Sequence, residues 1–161
     1  TVCISYATGH RSKLDDDGTG PGTVMAGKLA IYLTEKAGIG THSGLHLDFG
    51  NNWRQFLMDI KSCKVMVIIL THAFYQSMPC LEEVDKIIKG KVDIVTVRHE
   101  KDLPKEDDQW TKAISEEDKL MRFEVMEKLR SVNYYPPFSE EIMNENDLDA
   151  VKDIVEKKLN K

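Results

Sequence analysis

An unbroken apolar run from Val65 to Leu70 is the strongest signal in the hydrophobic pattern of the chain. A short run that is rich in β-branched residues and has no alternation predicts a strand buried on both faces, as in a parallel sheet. A polar loop follows this run, and Pro79 then stands where the first turn of a helix accepts a proline. The apolar residues after it recur at helical spacing and predict one buried face: Leu81, Val84, Ile87 and Ile88.

The rest of the chain alternates predicted strands with predicted helices. Further strands are predicted at Val2 to Tyr6, Ile39 to His42, Val92 to Val97 and Val132 to Tyr135. A first helix is predicted on Val24, Met25, Leu29, Ile31, Leu33 and Ala37, and it ends at Gly38. A second helix is predicted after Asn51 or Asn52, on Trp53, Phe56, Leu57 and Ile60. A third further helix is predicted from Glu116 to Arg130, with its apolar face on Leu120, Phe123, Met126 and Leu129. A last helix is predicted to begin after Asp147 as its cap, with its apolar face on Leu148, Val151, Ile154, Val155 and Leu159. Between the first strand and the first helix, Ala7 to Thr23 is predicted to be a long surface loop.

This order of short buried strands and helices predicts an α/β fold, with a parallel sheet covered by helices on both faces. For five strands, we expect the flavodoxin-like, doubly wound order 2-1-3-4-5, whose crevice opens at the carboxyl ends of strands one and three. Those ends are Ser5-Tyr6 and Leu70-Thr71. Glu83 lies in the helix that follows strand three, and we therefore expect it near the crevice.

Two neighbouring carboxylates, Glu82 and Glu83, are predicted to lie in the first turn of that helix. At about 100° per residue, Glu82 points nearly opposite the apolar stripe, whereas Glu83 lies at its margin beside Cys80 and Ile87. Glu83 is thus the carboxylate that the fold would hold in place. Its simplest interpretation is a first-turn carboxylate that interacts with the helix dipole.

Length, charge and cysteine content narrow the class of protein. The chain has 161 residues, which suits one domain, and its net charge of -5 argues against general binding to nucleic acid or anionic membranes. No apolar run reaches the roughly 18 residues of a membrane span. Its cysteines are odd in number and lie in or beside apolar segments, which predicts a reduced, intracellular protein. The chain opens within a strand pattern and without an initiator Met, so we expect a domain from a longer protein.

Several familiar kinds of site are not supported by the sequence. Gly18, Gly20 and Gly22 lie in mid-loop and do not open a helix, so they do not form a dinucleotide fingerprint. His42 and His46 have Gly44 between them, which disfavours a helical zinc pair. No GxSxG nucleophile motif is present. A receiver domain needs an acidic pair after strand one and an Asp at the end of strand three, where this chain has Ser5-Tyr6 and Thr71. The Ser/Thr-rich phosphate loop of other flavodoxin-like nucleotide binders is missing after strand one.

Short motifs follow one another in a fixed order over about residues 2–97. They are Ile4-Ser5-Tyr6, Gly38-Ile39, Gly50-Asn51-Asn52-Trp53, Lys61-Ser62-Cys63-Lys64, and a final set of Tyr75, Ser77, Cys80-Leu81 and Glu83-Val84. In this order and spacing the chain resembles a Toll/interleukin-1 receptor (TIR) domain, and the final set is similar to the S-x-x-C-L-x-E-L pattern of that family. The chain departs from the family at Pro79, where a Trp is frequent. It departs again in the loop from Ser43 to Gly50, which lacks the usual Arg-Asp pair.

The resemblance implies a single TIR domain over residues 1–161 that acts in immune or stress signalling. Many TIR domains cleave NAD+ at the nicotinamide–ribose bond, and the matching catalytic glutamate is Glu83. We expect the substrate to meet Ser5, Tyr6, Arg11, Tyr75 and Cys80, with Cys80 packing as a small side chain and not acting as a nucleophile. NAD+ would be the substrate, and no separate cofactor and no metal is expected.

The resemblance also implies partners and a location. We expect self-association with other TIR domains, no contact with nucleic acid or membrane, and a cytoplasmic location. The alternative function is a non-enzymatic adaptor that signals through TIR–TIR contacts alone. The two differ at Glu83: an enzyme needs this carboxylate open to a cleft near Ser5 and Tyr75, whereas an adaptor allows it to be paired or covered.

Overall fold

A computed structural model describes residues 2–7, 20–43, 62–71, 74, 78–90, 92–98, 115–132 and 144–161. The strands in these ranges are β1 (Val2–Ser5), β2 (Thr41–Ser43), β3 (Val65–Leu70) and β4 (Asp93–Arg98). The helices are α1 (Pro21–Ala37), α2 (Met78–Lys89), α3 (Glu116–Arg130) and α4 (Glu145–Leu159). The predicted helix after Asn51 or Asn52 lies outside the described residues.

The strands form one parallel sheet in the order β2-β1-β3-β4. This confirms the α/β class, the parallel sheet and the first four positions of the predicted strand order. The described sheet has four strands and not the five predicted. Of the proposed fifth strand, Val132 continues the turn that ends α3, because its backbone N–H donates to the Leu129 carbonyl at 3.2 Å. The other residues of that proposed strand lie outside the described ranges.

β1 is a central strand and is fixed from both sides. Its residues Val2 to Ile4 pair with β2, and the same strand pairs with β3 as far as Ser5, which lies opposite Ile68. The chain order reverses between β1 and β3, so this is the topological switch point at which ligands bind in open α/β sheets. Ser5 therefore ends its strand at the predicted crevice.

The sheet separates two hydrophobic cores. Side chains alternate between the faces of a strand, so neighbouring residues of β3 belong to different cores. On the face that we call the α2/α3 face, the core contains Cys3, Met66, Ile68 and Leu70 with residues of α2 and α3. On the opposite face, the α1/α4 face, it contains Val2, Ile4, Val65, Val67 and Ile69 with residues of α1 and α4.

α1 begins earlier than the sequence indicates, at Pro21, so the end of the predicted surface loop is helical. Its first turn packs closely against the backbone just after β1: a Cβ added at Gly22 would lie 2.5 Å from the Ala7 carbonyl oxygen. Gly38 ends the helix as predicted, in the left-handed conformation with φ 63°, which glycine adopts without a steric penalty.

The helices bury fewer of their apolar residues than the periodicity predicts. Ile31 of α1 is 60% exposed, and Leu120 and Phe123 of α3 are 59% and 50% exposed. Each helix packs against the sheet along one stripe only, and these residues lie outside it. Leu29 and Leu129, on the same helices, are fully buried.

α4 begins with a capping box that differs from the predicted Asp147 cap. The Asn144 side chain accepts a hydrogen bond from the Asp147 N–H at 2.9 Å, and the Asp147 carboxylate accepts one from the Asn144 N–H at 3.2 Å. Asp147 is therefore the third helical residue, and Asn144 is the cap. Leu148, Val151 and Val155 of this helix are buried, as predicted.

The cysteines do not all remain thiols. Cys3 of β1 and Cys63, just before β3, are joined in a disulfide with Cα atoms 6.1 Å apart. The prediction of reduced thiols is therefore wrong for this pair, because the parallel pairing of β1 and β3 brings together residues that are 60 apart in sequence. Cys80 is free and buried. None of the helices in the described ranges is long and apolar enough to cross a membrane.

Candidate functional site

The candidate carboxylate Glu83 is buried at the inner side of α2. Its exposed fraction is 7%, whereas Glu82 is only partly buried. This is the difference that the helical geometry predicts. α2 begins at Met78, so both glutamates lie beyond its first turn, and the prediction that they belong to that turn is wrong. The helix dipole acts mainly within the first turn and is not what holds Glu83.

A hydrogen bond from β1 holds the Glu83 side chain instead. The Ser5 hydroxyl donates to Glu83 Oε2 at 2.7 Å, and both partners are buried. The two residues are 78 apart in sequence and meet because α2 packs over the carboxyl end of β1. A hydroxyl that donates to an ionised carboxylate forms a strong, charge-assisted bond.

Tyr6 and Cys80 extend this cluster. The Cys80 thiol donates to the Tyr6 backbone carbonyl at 3.3 Å. Burial, with contributions from Cys80 and Glu83, raises the pKa of Tyr6 to about 12. The phenol is therefore protonated at neutral pH and can donate a hydrogen bond.

The structure thus brings together Ser5, Tyr6, Cys80 and Glu83 of the predicted site. They lie at the carboxyl end of β1 and on the facing turns of α2, beside the switch point of the sheet. Arg11 and Tyr75, the other two predicted substrate contacts, lie outside the described residues. The cluster combines a fixed carboxylate with a protonated phenol, and this combination can stabilise a positive charge and orient a hydroxyl group.

A cavity of about 570 Å³ lies on the other side of α2. The described residues that line it are Glu82, Asp85, Lys86, Lys89 and Gly90, and Glu83 is not among them. This cavity is therefore separate from the buried carboxylate. We assign the candidate site to the cluster, because the switch point of the sheet lies there.

The sequence did not reveal two features of the α2/α3 face. The sequence predicts a substrate contact for Ser5 and does not reveal its bond to Glu83, although it places Ser5 at the end of a central strand. Arg122 is 4% exposed on α3, and burial lowers its pKa. Arg122 lies four residues before the buried Met126, so the two share a helix face. A charged residue is not expected on a buried face, and the sequence pattern therefore does not identify it.

Solved structures are the comparison that bears on the fold of this chain. No protein-family model matches the chain, and no curated protein matches it in sequence. Among solved structures, it is similar to the TIR domains of the activated Roq1 resistosome that directly recognizes the pathogen effector XopQ. The TM-score is 0.66 at 20% sequence identity, and the match covers 97% of each chain. The chain therefore has the fold of a TIR domain.

Proposed function

We propose that this TIR-fold domain acts in immune or stress signalling by cleaving NAD+ at the nicotinamide–ribose bond, with Glu83 as the catalytic carboxylate. NAD+ is the substrate, and the reaction needs no further cofactor. As nicotinamide leaves, either water bonds to the anomeric carbon and loses a proton to give ADP-ribose, or a nucleophilic group of the same molecule does so to give a cyclised form.

The chemistry of this bond explains why one carboxylate is sufficient. Nicotinamide is attached to ribose as a cationic ring and departs as a neutral molecule, so it does not need a general acid. The sugar that remains resembles an oxocarbenium ion, and a fixed negative charge stabilises it. The same carboxylate can accept a hydrogen bond from a ribose hydroxyl and thereby hold the ring in place.

One observation carries the proposal: the buried Glu83 carboxylate is held at the switch point by a hydrogen bond from Ser5. A carboxylate in a water-poor setting interacts more strongly with a developing cation than one in water does. The Tyr6 phenol, protonated at neutral pH, lies in the same cluster and is a donor for the ribose or the nicotinamide amide.

From the sequence, an enzyme is expected to have Glu83 open to a cleft, and in this structure Glu83 is buried and paired instead. On the enzyme proposal, NAD+ therefore reaches Glu83 only after a rearrangement at this edge of the sheet. We propose that self-association of TIR domains supplies this rearrangement, so that the isolated domain is nearly inactive and the assembled one is active. The structural neighbour comes from an activated resistosome, which supports this part of the proposal.

The second candidate function is a non-enzymatic adaptor that signals only through contacts between TIR domains. A specific observation favours it: Glu83 is 7% exposed and hydrogen-bonded, an arrangement that an adaptor permits. In that case the Ser5–Glu83 bond serves to join β1 to α2 and has no role in chemistry.

Nicotinamide release from NAD+ distinguishes the two functions. The protein is assayed as a dilute monomer and after tethering into oligomers, beside Glu83→Gln in both forms. We expect release by the tethered wild type and at least about a 100-fold lower rate in tethered Glu83→Gln. No release by any tethered form would favour the adaptor, and equal release by Glu83→Gln would assign the chemistry to another residue.

A further inference from the structure

Ser5 donates its hydroxyl to the candidate catalytic carboxylate. Its backbone is fixed because β1 is a central strand and Ser5 pairs with Ile68 of β3. Its side chain is 1% exposed, and Oγ lies 2.7 Å from Glu83 Oε2. A short contact between buried groups on two rigid elements fixes the orientation of the carboxylate.

A serine hydroxyl has one proton and can donate one hydrogen bond. In this structure that proton is directed to Glu83, so Ser5 does not have a donor to offer to NAD+. This argues against the substrate contact that we predicted for Ser5 from the sequence. The carboxylate has about four lone-pair sites, and the bond to Ser5 uses one of them.

We propose that Ser5 is a positioning residue that orients Glu83 and keeps it ionised for the cleavage of NAD+; this inference rests on the proposed function. The bond turns the carboxylate toward the switch point and favours its charged form, because a donor stabilises the ionised acid more than the protonated acid. Ser5 acts through Glu83 and does not touch the substrate. Tyr6 is a titratable group close to Glu83, since the charge of Glu83 contributes to the raised pKa of Tyr6.

The test compares Ser5→Ala, which removes the donor, with Ser5→Thr, which retains a hydroxyl. Thr96→Val is the matched control: Thr96 lies on β4 opposite the same residue, Ile68, and is also fully buried. Thr96→Val therefore measures how much stability the protein loses when a buried hydroxyl is removed at a position away from Glu83. Thermal unfolding is measured for every variant, and Ser5→Cys replaces Ser5→Ala if the alanine variant does not fold.

Two readouts separate positioning from a structural role. The first is the pH dependence of nicotinamide release by the tethered protein. In Ser5→Ala we expect kcat to fall about 10- to 100-fold with a smaller change in KM, and the acid limb of the profile to move up by about one pH unit. Ser5→Thr restores most of kcat, and Thr96→Val keeps the wild-type kcat and acid limb.

The second readout does not need activity: the pH titration of the Glu83 carboxyl carbon by NMR, assigned with Glu83→Gln. We expect the midpoint in Ser5→Ala to lie about one pH unit above that of the wild type. An unchanged midpoint would overturn the inference, as would a raised KM at unchanged kcat, which would mean that Ser5 binds substrate. A shifted midpoint in a protein that never cleaves NAD+ would refute the proposed function and, with it, a role of Ser5 in catalysis.

Discussion

The two faces of the sheet differ in what they bury. The α1/α4 face packs apolar side chains of β1 and β3 against two helices. The α2/α3 face packs a similar set, but it also holds the charged residues Glu83 and Arg122 and the polar Ser5. Taking a charged group out of water costs free energy that its partners return only in part, so apolar packing alone does not explain why these charges are buried.

This difference separates the part of the domain that holds the fold from the part that carries the candidate chemistry. Among the described residues, the α1/α4 face buries apolar and some uncharged polar side chains but no charged one. On the other face, the Ser5–Glu83 bond takes the place of an apolar contact at the switch point. The comparison predicts that substitutions on the first face change stability alone, whereas substitutions of Ser5 and Glu83 change activity.

Leucines on the two faces test the assignment of the cores. We expect Leu129→Ala of α3 and Leu29→Ala of α1 each to lower the free energy of unfolding by about 2–5 kcal/mol, because both side chains are fully buried. Leu120→Ala is the matched control on α3. Its side chain is 59% exposed, so the change stays within about 0.5 kcal/mol. Urea unfolding measures all three, and an equal loss in Leu120→Ala would contradict the orientation of α3.

The capping box at the start of α4 is expected to contribute to the stability of the domain. Asn144→Ala removes the side chain that accepts from the Asp147 N–H, and we expect it to lower the free energy of unfolding by about 1 kcal/mol. Asn146→Ala, two residues further on, changes an exposed asparagine of the same helix and serves as the control. If thermal unfolding shows the same loss in both variants, Asn144 is not the cap.

Two tyrosines give the smallest expected effect, a dependence of stability on alkaline pH. Burial and the neighbouring Cys80 and Glu83 raise the pKa of Tyr6 from 10.0 to about 12. The hydrogen bond from the Tyr32 hydroxyl to Asp149 is the main cause that raises the pKa of Tyr32 to about 12. In both, folding favours the protonated phenol, so its stabilising contribution is complete below pH 10 and is lost as pH rises to about 12.

We therefore expect the free energy of unfolding of Tyr6→Phe and of Tyr32→Phe to fall less steeply than that of the wild type between pH 10 and about 12. Urea unfolding at the two ends of this window measures the slopes. A wild-type slope in Tyr6→Phe would show that the phenol ionises as freely in the folded chain as in the unfolded one.

The sequence predicts the fold of this chain better than it predicts the details of the site. The run from Val65 to Leu70 specifies a strand that is fully buried, as predicted. In the predicted stripe on α2, Leu81, Val84 and Ile87 are buried, and Ile88 is partly buried. Helical spacing also distinguishes Glu83 from Glu82. These features depend on local periodicity, which a sequence displays directly.

What the sequence did not reveal depends on contacts between distant segments. The Ser5–Glu83 bond joins residues 78 apart, and the Cys3–Cys63 disulfide joins residues 60 apart. The prediction that Leu120 and Phe123 lie on the buried face of α3 is wrong, because α3 carries more apolar residues than its one packed face can bury. The buried position of Arg122 does not follow from the sequence, because buried helix faces are identified by apolar residues at helical spacing and Arg122 is charged.

The most direct test of the central claim is nicotinamide release from NAD+ by tethered Glu83→Gln and tethered Glu82→Gln, measured side by side with the wild type. The two neighbouring glutamates undergo the same chemical change, but Glu83 is buried against Ser5 and Glu82 is not. We predict that Glu82→Gln keeps most of the wild-type rate and that Glu83→Gln loses at least about 100-fold. Retention of the wild-type rate by Glu83→Gln would contradict the account.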